Sequence, residues 1–244
     1  MKRAYADLHL CANISDPSHV SRLIRKASTL GYSLVAMPLS PRTPEHQFQQ
    51  VKRVCGEVGM GFASRVDLKP HTADELLRDV RKFRRRFELV AVMCESKVVA
   101  RQAAKDRRVD LLNFPQPDFR RAFFDSAEAE LASACLTSLE VDLGPLLQQE
   151  GAARVRLLSF LRREVQTAKE FHVPIVLSSG VSEELLMRRP IDLASLSFLL
   201  GLDKDVATEA VSKNPMAIVA RNREKLNPRF IAPGIRVIRR ERDC

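Results

Sequence analysis

The sequence predicts an α/β fold, namely a distorted TIM-like (β/α) barrel of about seven parallel strands with extra C-terminal helices. Short apolar segments recur along the chain, and their starts lie roughly 21 to 37 residues apart, the spacing of strand–helix units. These segments are rich in Val, Leu and Ile and rarely alternate with polar residues, which is typical of parallel strands covered on both faces. An open doubly wound sheet is the alternative, but no G-x-G-x-x-G follows the first segment.

Seven segments carry the predicted strands. Sequential strand–helix units connect by short right-handed crossovers, so seven in a row wind round a common axis. In chain order the segments are Tyr5–Leu10, Leu34–Met37, Gly61–Val66, Glu88–Met93, Val109–Asn113, Leu136–Val141 and Val173–Leu177.

The stretches between the strands carry helix signals. Asp16-Pro17 supplies an N-cap and a proline at the first helical position of a helix that ends at Gly31. Thr72 to Glu75 has the spacing of a capping box. Asp118 is the predicted cap of the helix that runs through Ala134.

Only helices are predicted after Gly180, so the barrel is expected to close with seven strands. We expect residues 1–226 to form one barrel domain with closing helices from about residue 182. Residues 227–244 contain two prolines and several arginines, and are predicted to be a basic, disordered tail. The four predicted closing helices are Glu183–Arg189, Asp192–Leu200, Asp203–Ser212 and Pro215–Lys225.

The charge balance favours a polyanionic partner. The chain has 40 Lys and Arg against 30 Asp and Glu, a net charge of +10, and 29 of the cations are Arg. Arginine bonds phosphate through two donors and stacks on bases, so RNA or DNA is the first expectation. Incidental charge on solvated helix faces is the alternative that composition alone leaves open.

Cysteine usage and hydropathy indicate a cytoplasmic protein without a membrane partner. The five cysteines are an odd number and contain no C-x-x-C, which disfavours a disulfide framework. No apolar run approaches the roughly 20 residues of a membrane span, and the N-terminus is not a signal peptide.

Polar residues at the ends of the predicted strands define the candidate site, because chemistry in α/β barrels occurs at that face. A metal-dependent hydrolase needs several histidines there, but only His9 of the five histidines falls at a strand end. A metal site remains an alternative, and its ligands would be Asp7, His9, Asp67 and Glu140.

Arg65 offers a different source of positive charge at the same face. Buried carboxylates are costly to ionise without a cation, so we expect Arg65 to pair with Asp7, with Glu140, or with both. Ser178-Ser179-Gly180 follows a strand and precedes a helix. Its backbone N–H groups could hold an anion, or the segment could be a plain turn.

The sequence resembles the ribonuclease P protein component 3 family over nearly all of residues 4–225. Each matching segment alone is weak, but their combination in this order is specific. The segments are Tyr5–Leu10, Leu30–Met37, Ser64–Leu68, Phe87–Val92, Val109–Leu112, Val176–Gly180, Arg188–Ala194, Phe198–Leu202, Ala210–Ser212, Asn214-Pro215 and Arg221–Lys225.

The resemblance implies a barrel like those of the polymerase and histidinol phosphatase superfamily, serving as a non-catalytic subunit of ribonuclease P. Such a subunit binds and stabilises the catalytic RNA for removal of the 5′ leader from precursor tRNA, which it meets indirectly. The resemblance also implies a small protein partner in a heterodimer or heterotetramer, and no cofactor on this chain, since the Mg²⁺ serves the RNA. The family's recurrent polar positions fall on Asp7, Arg65, Glu140, Ser178 and Arg188.

Two other functions stay open from the residues alone. One is a metal-dependent phosphoesterase of the same superfamily, and the other is a protein scaffold with incidental charge. For the RNA-binding reading, no RRM or KH signature is present, so clustered arginines are expected to contact phosphates. The candidates are Arg84, Arg85, Arg107, Arg108, Arg120, Arg121, Arg154, Arg156 and Arg188.

Overall fold

The computed structural model of the chain describes residues 4–115, 123–232 and 235–236. Within them, seven strands form one sheet in sequence order, and each strand pairs in parallel with the next. The predicted α/β barrel is therefore confirmed. The strands are β1 (Ala6–Asp7), β2 (Leu34–Pro38), β3 (Gly61–Leu68), β4 (Leu89–Met93), β5 (Leu111–Asn113), β6 (Ser138–Asp142) and β7 (Ile175–Ser178).

The barrel closes only just beyond the ends of β1 and β7. Gly180 donates its N–H to the His9 carbonyl at 2.9 Å, and Cys11 donates to the Val181 carbonyl at 2.9 Å. Lower down, the N–H of Ala6 is bonded at 3.0 Å to the carbonyl of Val211, which belongs to the closing helical region. The C-terminal helices thus occupy the place that an eighth strand would fill, and this makes the barrel distorted.

Ten α-helices of the described residues surround and close the sheet. They are α1 (Pro17–Leu30), α2 (Glu45–Glu57), α3 (Ala73–Phe83), α4 (Lys97–Ala104), α5 (Ser126–Cys135), α6 (Gly144–Gln148), α7 (Gly151–Glu170), α8 (Pro190–Leu196), α9 (Lys204–Ala210) and α10 (Lys213–Leu226). Two short 3₁₀ turns, Glu184–Leu186 and Ser197–Leu200, flank α8.

Local capping fixes where several helices begin. The Asp16 carboxylate accepts two backbone N–H groups at the start of α1, and the Thr72 hydroxyl accepts the N–H of Glu75 at the start of α3. The prediction of Asp118 as the cap of α5 is wrong, and Asp118 itself lies outside the described residues. Asp125 is the cap, because it forms a reciprocal capping box with Glu128.

The barrel interior is apolar away from the strand ends and is plugged from below by α10. Every second residue of a barrel strand points inward, and the inner apolar cluster has members from every strand except β6. Ile218 and Val219 of α10 pack into the same cluster. Its other buried members are Ala6, Leu8, Leu34, Ala36, Ala63, Leu89, Ala91, Met93, Leu111 and Val176.

The C-terminal part is helical as predicted, with one shortened element and one added hairpin. The predicted helix over Glu183–Arg189 is only the turn Glu184–Leu186, since Met187 already has extended backbone. Pro190 in addition disfavours helical backbone at Arg189. Within the tail predicted to be disordered, β8 (Phe230–Ala232) and β9 (Ile235–Arg236) pair antiparallel. The stretch 237–244 lies outside the described residues. Among the described helices, none has the length and hydropathy to cross a membrane.

Candidate functional site

The candidate site is a charged cluster at the carboxyl ends of the strands, centred on the fully buried side chain of Arg65. Two guanidinium nitrogens donate in parallel to the two carboxylate oxygens of Glu140, each at 2.6 Å. The Nε of Arg65 donates to Asp67 Oδ1 at 2.6 Å, and one Nη also donates to the carbonyl of Leu8 at 2.7 Å. The Ser178 hydroxyl donates to Glu140 Oε1 at 2.8 Å.

Further bonds close this cluster into a ring. The Asn113 amide donates to Glu140 Oε2 at 3.0 Å and to Asp142 Oδ2 at 2.8 Å. His9 lies between two carboxylates, with Nδ1 2.9 Å from Asp142 Oδ2 and Nε2 3.3 Å from Asp67 Oδ2. We call this set the mouth network: His9, Arg65, Asp67, Asn113, Glu140, Asp142 and Ser178.

The strand period and register explain why these residues meet. Arg65 and Asp67 are two apart on β3, and Glu140 and Asp142 are two apart on β6, so each pair shares a face of its strand. Asn113 is opposite Glu140 in the pairing of β5 with β6. The barrel brings the inward faces of β3 and β6 together across its axis.

The charges of the mouth network stabilise one another despite burial. Burial disfavours every ion here, but the Asp67 and Glu140 carboxylates outweigh it and raise the pKa of Arg65. In return the Arg65 charge overcomes burial and lowers the pKa of Asp67 and of Glu140. For His9, burial and Arg65 lower the pKa, but Asp142 and Asp67 raise it more, so the imidazole pKa lies well above its usual value.

Asp7 lies beside the mouth network without a bond to Arg65. Its Oδ1 accepts the backbone N–H groups of His9 at 3.1 Å and Ser179 at 3.0 Å. Its Oδ2 is buried and has no hydrogen-bond partner among the described residues. Burial raises the pKa of Asp7, and the bonds from Ser179 and His9 offset this only in part. Of the two expected partners of Arg65, Glu140 is therefore the one in contact.

The mouth network does not fit a metal ion. Ligand atoms of His9, Glu140 and Asp142 do lie within 4.8 Å of one another. However, both Glu140 oxygens accept bonds from Arg65, and Asn113 and His9 engage Asp142. The buried guanidinium would also repel a cation placed among these carboxylates.

The four residues proposed from the sequence as metal ligands do not fit an ion either. Asp67 and Glu140 are bonded to the Arg65 guanidinium, and Asp7 is fixed towards the backbone of Ser179. His9 has carboxylates at both ring nitrogens, which favours the charged imidazolium rather than a neutral metal ligand. Arg65 supplies the positive charge that an ion would bring.

The Ser178-Ser179-Gly180 segment leads from the end of β7 to the parallel bridge between Val181 and Leu10, and the N–H groups of Ser179 and Gly180 are used internally. Ser179 N–H bonds Asp7, and Gly180 N–H bonds the His9 carbonyl. Gly180 has φ of 61°, and a Cβ there would lie 2.7 Å from Asp142 side-chain atoms. These two N–H groups are therefore not free for an anion.

A crevice of about 330 Å³ opens beside the mouth network and contains a buried acid that sequence reasoning missed. Glu164 on α7 is 2% exposed, and its Oε1 accepts the N–H of Phe124 at 3.0 Å. Burial raises the pKa of Glu164 to about 8, against smaller lowering effects of Phe124 and Lys97. A glutamate in the middle of a charged helix gives no sign of burial in the sequence.

Three of the arginines predicted to bind RNA are engaged within the chain. Arg84 donates to Asp110 and to the carbonyls of Phe87, Glu88 and Arg108. Arg108 forms two bonds to the Asp106 carboxylate, at 2.9 and 2.6 Å. Arg154 donates to the Gln149 carbonyl at 2.5 Å.

The other arginines predicted to bind RNA differ in whether their side chains are already bonded within the chain. Arg85, Arg107 and Arg156 are exposed, and among the described residues they have no hydrogen-bonding or ion-pair partner. Arg188 donates at 2.8 Å to the carbonyl of Leu185 and at 3.0 Å to that of Met187, and neither bond joins it to the mouth network. Arg120 and Arg121 lie outside the described residues. RNA contact by any of these arginines stays a prediction.

Comparison with known proteins gives one consistent family. The model of the family described as RNase P subunit p30 matches residues 4–227. The chain is 31% identical over 220 residues to ribonuclease P protein component 3 of Methanosarcina barkeri, covering 90% of this chain and 89% of that protein. It is 32% identical over 176 residues to the component 3 protein of Methanosarcina acetivorans, covering 72% of each.

Solved structures agree on the fold. A chain in the cryo-EM structure of archaeal ribonuclease P with mature tRNA superposes with a TM-score of 0.84 at 21% identity, covering 98% of this chain and 100% of that one. A putative prolidase from Bifidobacterium longum gives a TM-score of 0.56 at 10% identity, covering 90% of this chain and 70% of that one. At these identities the two likenesses concern the barrel alone.

Proposed function

Because the chain belongs to the RNase P subunit p30 family, we propose that it is a non-catalytic protein subunit of ribonuclease P. In that role it binds and stabilises the catalytic RNA, which removes the 5′ leader from precursor tRNA. The observation that carries this proposal is the family match over residues 4–227.

The chemistry of the barrel mouth supports a role without catalysis. A hydrolytic barrel of this kind needs a cation with open coordination positions to activate water. Here the Arg65 guanidinium is bonded to the carboxylates of Asp67 and Glu140, so these two groups are not open to a water-activating cation. This argues against the alternative of a metal-dependent phosphoesterase.

The proposed partners are the ribonuclease P RNA and a small protein subunit, with precursor tRNA met indirectly. The stoichiometry we propose with the small subunit is a heterodimer or a heterotetramer. We assign the Mg²⁺ requirement of the assembled enzyme to its RNA, since the carboxylates of the mouth network are already paired. One similar chain comes from archaeal ribonuclease P with mature tRNA, which supports this set of partners.

The RNA contact is proposed to be led by phosphates. The exposed, unpaired Arg85, Arg107 and Arg156 are the candidates that remain free to contact RNA among the described residues. Binding through phosphate neutralisation weakens steeply as salt rises, because condensed counterions are released. Affinity that is constant between about 50 and 200 mM salt would contradict this interface.

Reconstitution tests the proposed function. The chain is added to the catalytic RNA and the other protein subunits, and leader removal from a precursor tRNA is followed. We expect faster removal with the chain than in a matched mixture without it, and equal rates would contradict the proposal. In parallel, the isolated chain is assayed with Mn²⁺ and a phosphate ester. Turnover abolished both by chelation and by His9→Gln would establish the phosphoesterase instead.

A further inference from the structure

A pocket of about 530 Å³ lies at the end of the barrel where β5 and β6 begin, opposite the mouth network. It is bounded by the end of α5, the segment after α4, the last turn of α10 and the first residue of β8. We call it the basal pocket, and its lining residues are Arg107, Ala134, Cys135, Leu136, Arg221, Glu224, Lys225 and Phe230.

The basal pocket carries an excess of positive charge. Arg107, Arg221 and Lys225 face one carboxylate, Glu224, and the nearby Asp110 is shared between Arg221 and Arg84. Burial and the charges of Arg221 and Arg84 lower the pKa of Lys225, although Asp110 opposes them. An anion in the pocket would relieve this repulsion between cations.

Leu136 in the same pocket is unfavourable for folding in two ways. It ends α5 in left-handed backbone, with φ of 59° and ψ of 28°, where glycine or asparagine is preferred. Its side chain is nevertheless 62% exposed, so it gains little from burial. Arg221 holds this conformation by donating to the Leu136 carbonyl at 3.3 Å. This backbone conformation ends α5, and its N–H bonds the Ala132 carbonyl, but nothing in the helix end calls for a leucine rather than a glycine. A large exposed side chain kept at a strained position suggests a role in binding.

We propose that the basal pocket binds one unpaired nucleotide of an RNA strand. The base packs on Leu136 and on the ring of Phe230, and the phosphate lies against Arg107 and Lys225. A nucleotide joins a flat apolar face to an anion, which matches this combination of lining groups. The pocket volume lies within the roughly 300–1,000 Å³ of small-ligand sites.

The proposal favours single-stranded over double-stranded RNA. Bases in a duplex are stacked and cannot enter a pocket, whereas unpaired bases can be splayed onto apolar and aromatic side chains. This inference rests on the proposed function, because it specifies which RNA element the subunit would hold.

The test uses short oligouridylate carrying 5-iodouridine, a duplex RNA of the same length, and the full chain. We expect tighter binding of oligouridylate than of duplex, with a photocrosslink on the peptide that contains Phe230. Leu136→Gly should weaken oligouridylate binding about tenfold, because the base loses its apolar contact with the leucine; this lies at the lower end of the loss known for a base stacked on an aromatic ring. Its thermal midpoint should stay unchanged or rise, because glycine adopts this φ without strain.

Matched controls come from the same chain. Leu185→Gly removes a leucine that is 85% exposed near the opposite end of the barrel, and it should leave oligouridylate affinity unchanged. Arg107→Ala should weaken binding several-fold, whereas Arg53→Ala on α2, also an exposed arginine, should not. Equal affinity of wild type and Leu136→Gly, or crosslinks away from the basal pocket, would overturn the proposal.

Leader removal by reconstituted ribonuclease P distinguishes a failure of the pocket proposal from a failure of the proposed subunit role. If the wild-type chain stimulates removal while Leu136→Gly binds oligouridylate normally, the pocket proposal fails and the subunit role stands. If oligouridylate crosslinks at Phe230 but the chain does not stimulate removal, the pocket stands and the subunit role fails. Loss of binding to the small protein subunit, with RNA affinity unchanged in Leu136→Gly, would assign the pocket to a protein and overturn the proposal.

Discussion

Single residues at the barrel mouth set its charge state, and Arg65 is central among them. Its guanidinium is completely buried and bonds two carboxylates, Glu140 and Asp67. Removing one partner of a buried pair leaves the other charge unpaired in a low dielectric, and this costs more than the pair contributes. The stability of the mouth network therefore depends on keeping both signs of charge together.

The variant Arg65→Met should show that the stability of the mouth network depends on keeping both signs of charge. We expect a loss of about 3–5 kcal/mol in the free energy of unfolding at neutral pH, because Glu140 and Asp67 become unpaired buried carboxylates. The double variant Arg65→Met with Glu140→Gln should recover part of the loss. Urea denaturation measures both, and a loss below about 1 kcal/mol in the single variant would contradict the account.

Glu164 should give the protein a measurable pH dependence. Burial raises its pKa to about 8, from the 4.5 that is usual for a glutamate in water. Between these values the unfolded chain has released this proton and the folded chain retains it, so stability falls as pH rises. Glu164→Gln should remove this contribution, and the variant's advantage should grow by up to about 1.4 kcal/mol per pH unit. Parallel stability curves from pH 5 to about 8 would refute the assignment.

The residues of the site could be predicted from the sequence where they lie at the ends of strands. Arg65 and Glu140 follow from reading which residues end β3 and β6, since the barrel brings those ends together. The orientation of the Asp7 carboxylate was not predictable, because it depends on bonds from backbone N–H groups where β1 meets β7. Glu164 sits on a helix, and nothing local distinguishes it from the exposed glutamates around it.

Among the elements, α10 matters most because it plugs the barrel and is held there by Asp110. The Asp110 carboxylate accepts bonds from Arg221 and Asn222 of α10, and from Arg84 and the N–H of Val90. One buried acid thus ties the last helix to two other parts of the barrel. The same contacts remove Arg84 from the surface that could reach RNA.

Asp110→Asn should loosen the attachment of α10. An amide has one acceptor oxygen and no charge, so it cannot serve the two arginines at once. We expect a loss of about 2–4 kcal/mol in the free energy of unfolding, with faster hydrogen exchange in α10. Asp106→Asn is the matched control, since Asp106 pairs with the part-exposed Arg108, and it should cost less than about 1 kcal/mol. Equal losses in the two variants would contradict the role of Asp110.

Element types were predictable because apolar runs and caps are local signals. All seven strands lie at predicted positions, and the closing helices occupy the predicted region. The cap of α5 was misplaced, since Asp118 and Asp125 are both acids before the same helix and only Asp125 has a glutamate three residues later. Closure without an eighth strand depends on long-range bonds such as Ala6 to Val211, which no local pattern encodes.

For the whole molecule, the net charge of +10 overstates what is available to a partner. Arg65, Arg84 and Arg108 hold carboxylates of the chain itself. Exposed arginines such as Arg85 and Arg107 remain for an anion. Composition therefore predicts a polyanionic partner, but only the structure separates internal arginines from those on the surface.

The adjacent residues Arg84 and Arg85 provide a matched pair of variants that tests which arginines contact RNA. Arg85→Ala should leave stability unchanged and should flatten the slope of log K for catalytic RNA against log salt by about 0.7–0.9, the loss of one phosphate contact. Arg84→Ala should instead lower the free energy of unfolding by about 3 kcal/mol through the loss of its bonds to Asp110. Salt titrations and urea denaturation of both variants check this, and the reverse pattern would contradict the assignment.

In the proposed function this subunit supports catalytic RNA, and its barrel mouth performs no chemistry. The most direct measurement is the rate of leader removal by reconstituted ribonuclease P at saturating protein, with wild-type chain and with His9→Gln. We expect equal rates, because the described contacts of the His9 imidazole, with Asp67 and Asp142, all lie within the mouth network. A rate at least tenfold lower with His9→Gln, while the variant remains folded and binds the RNA normally, would contradict it.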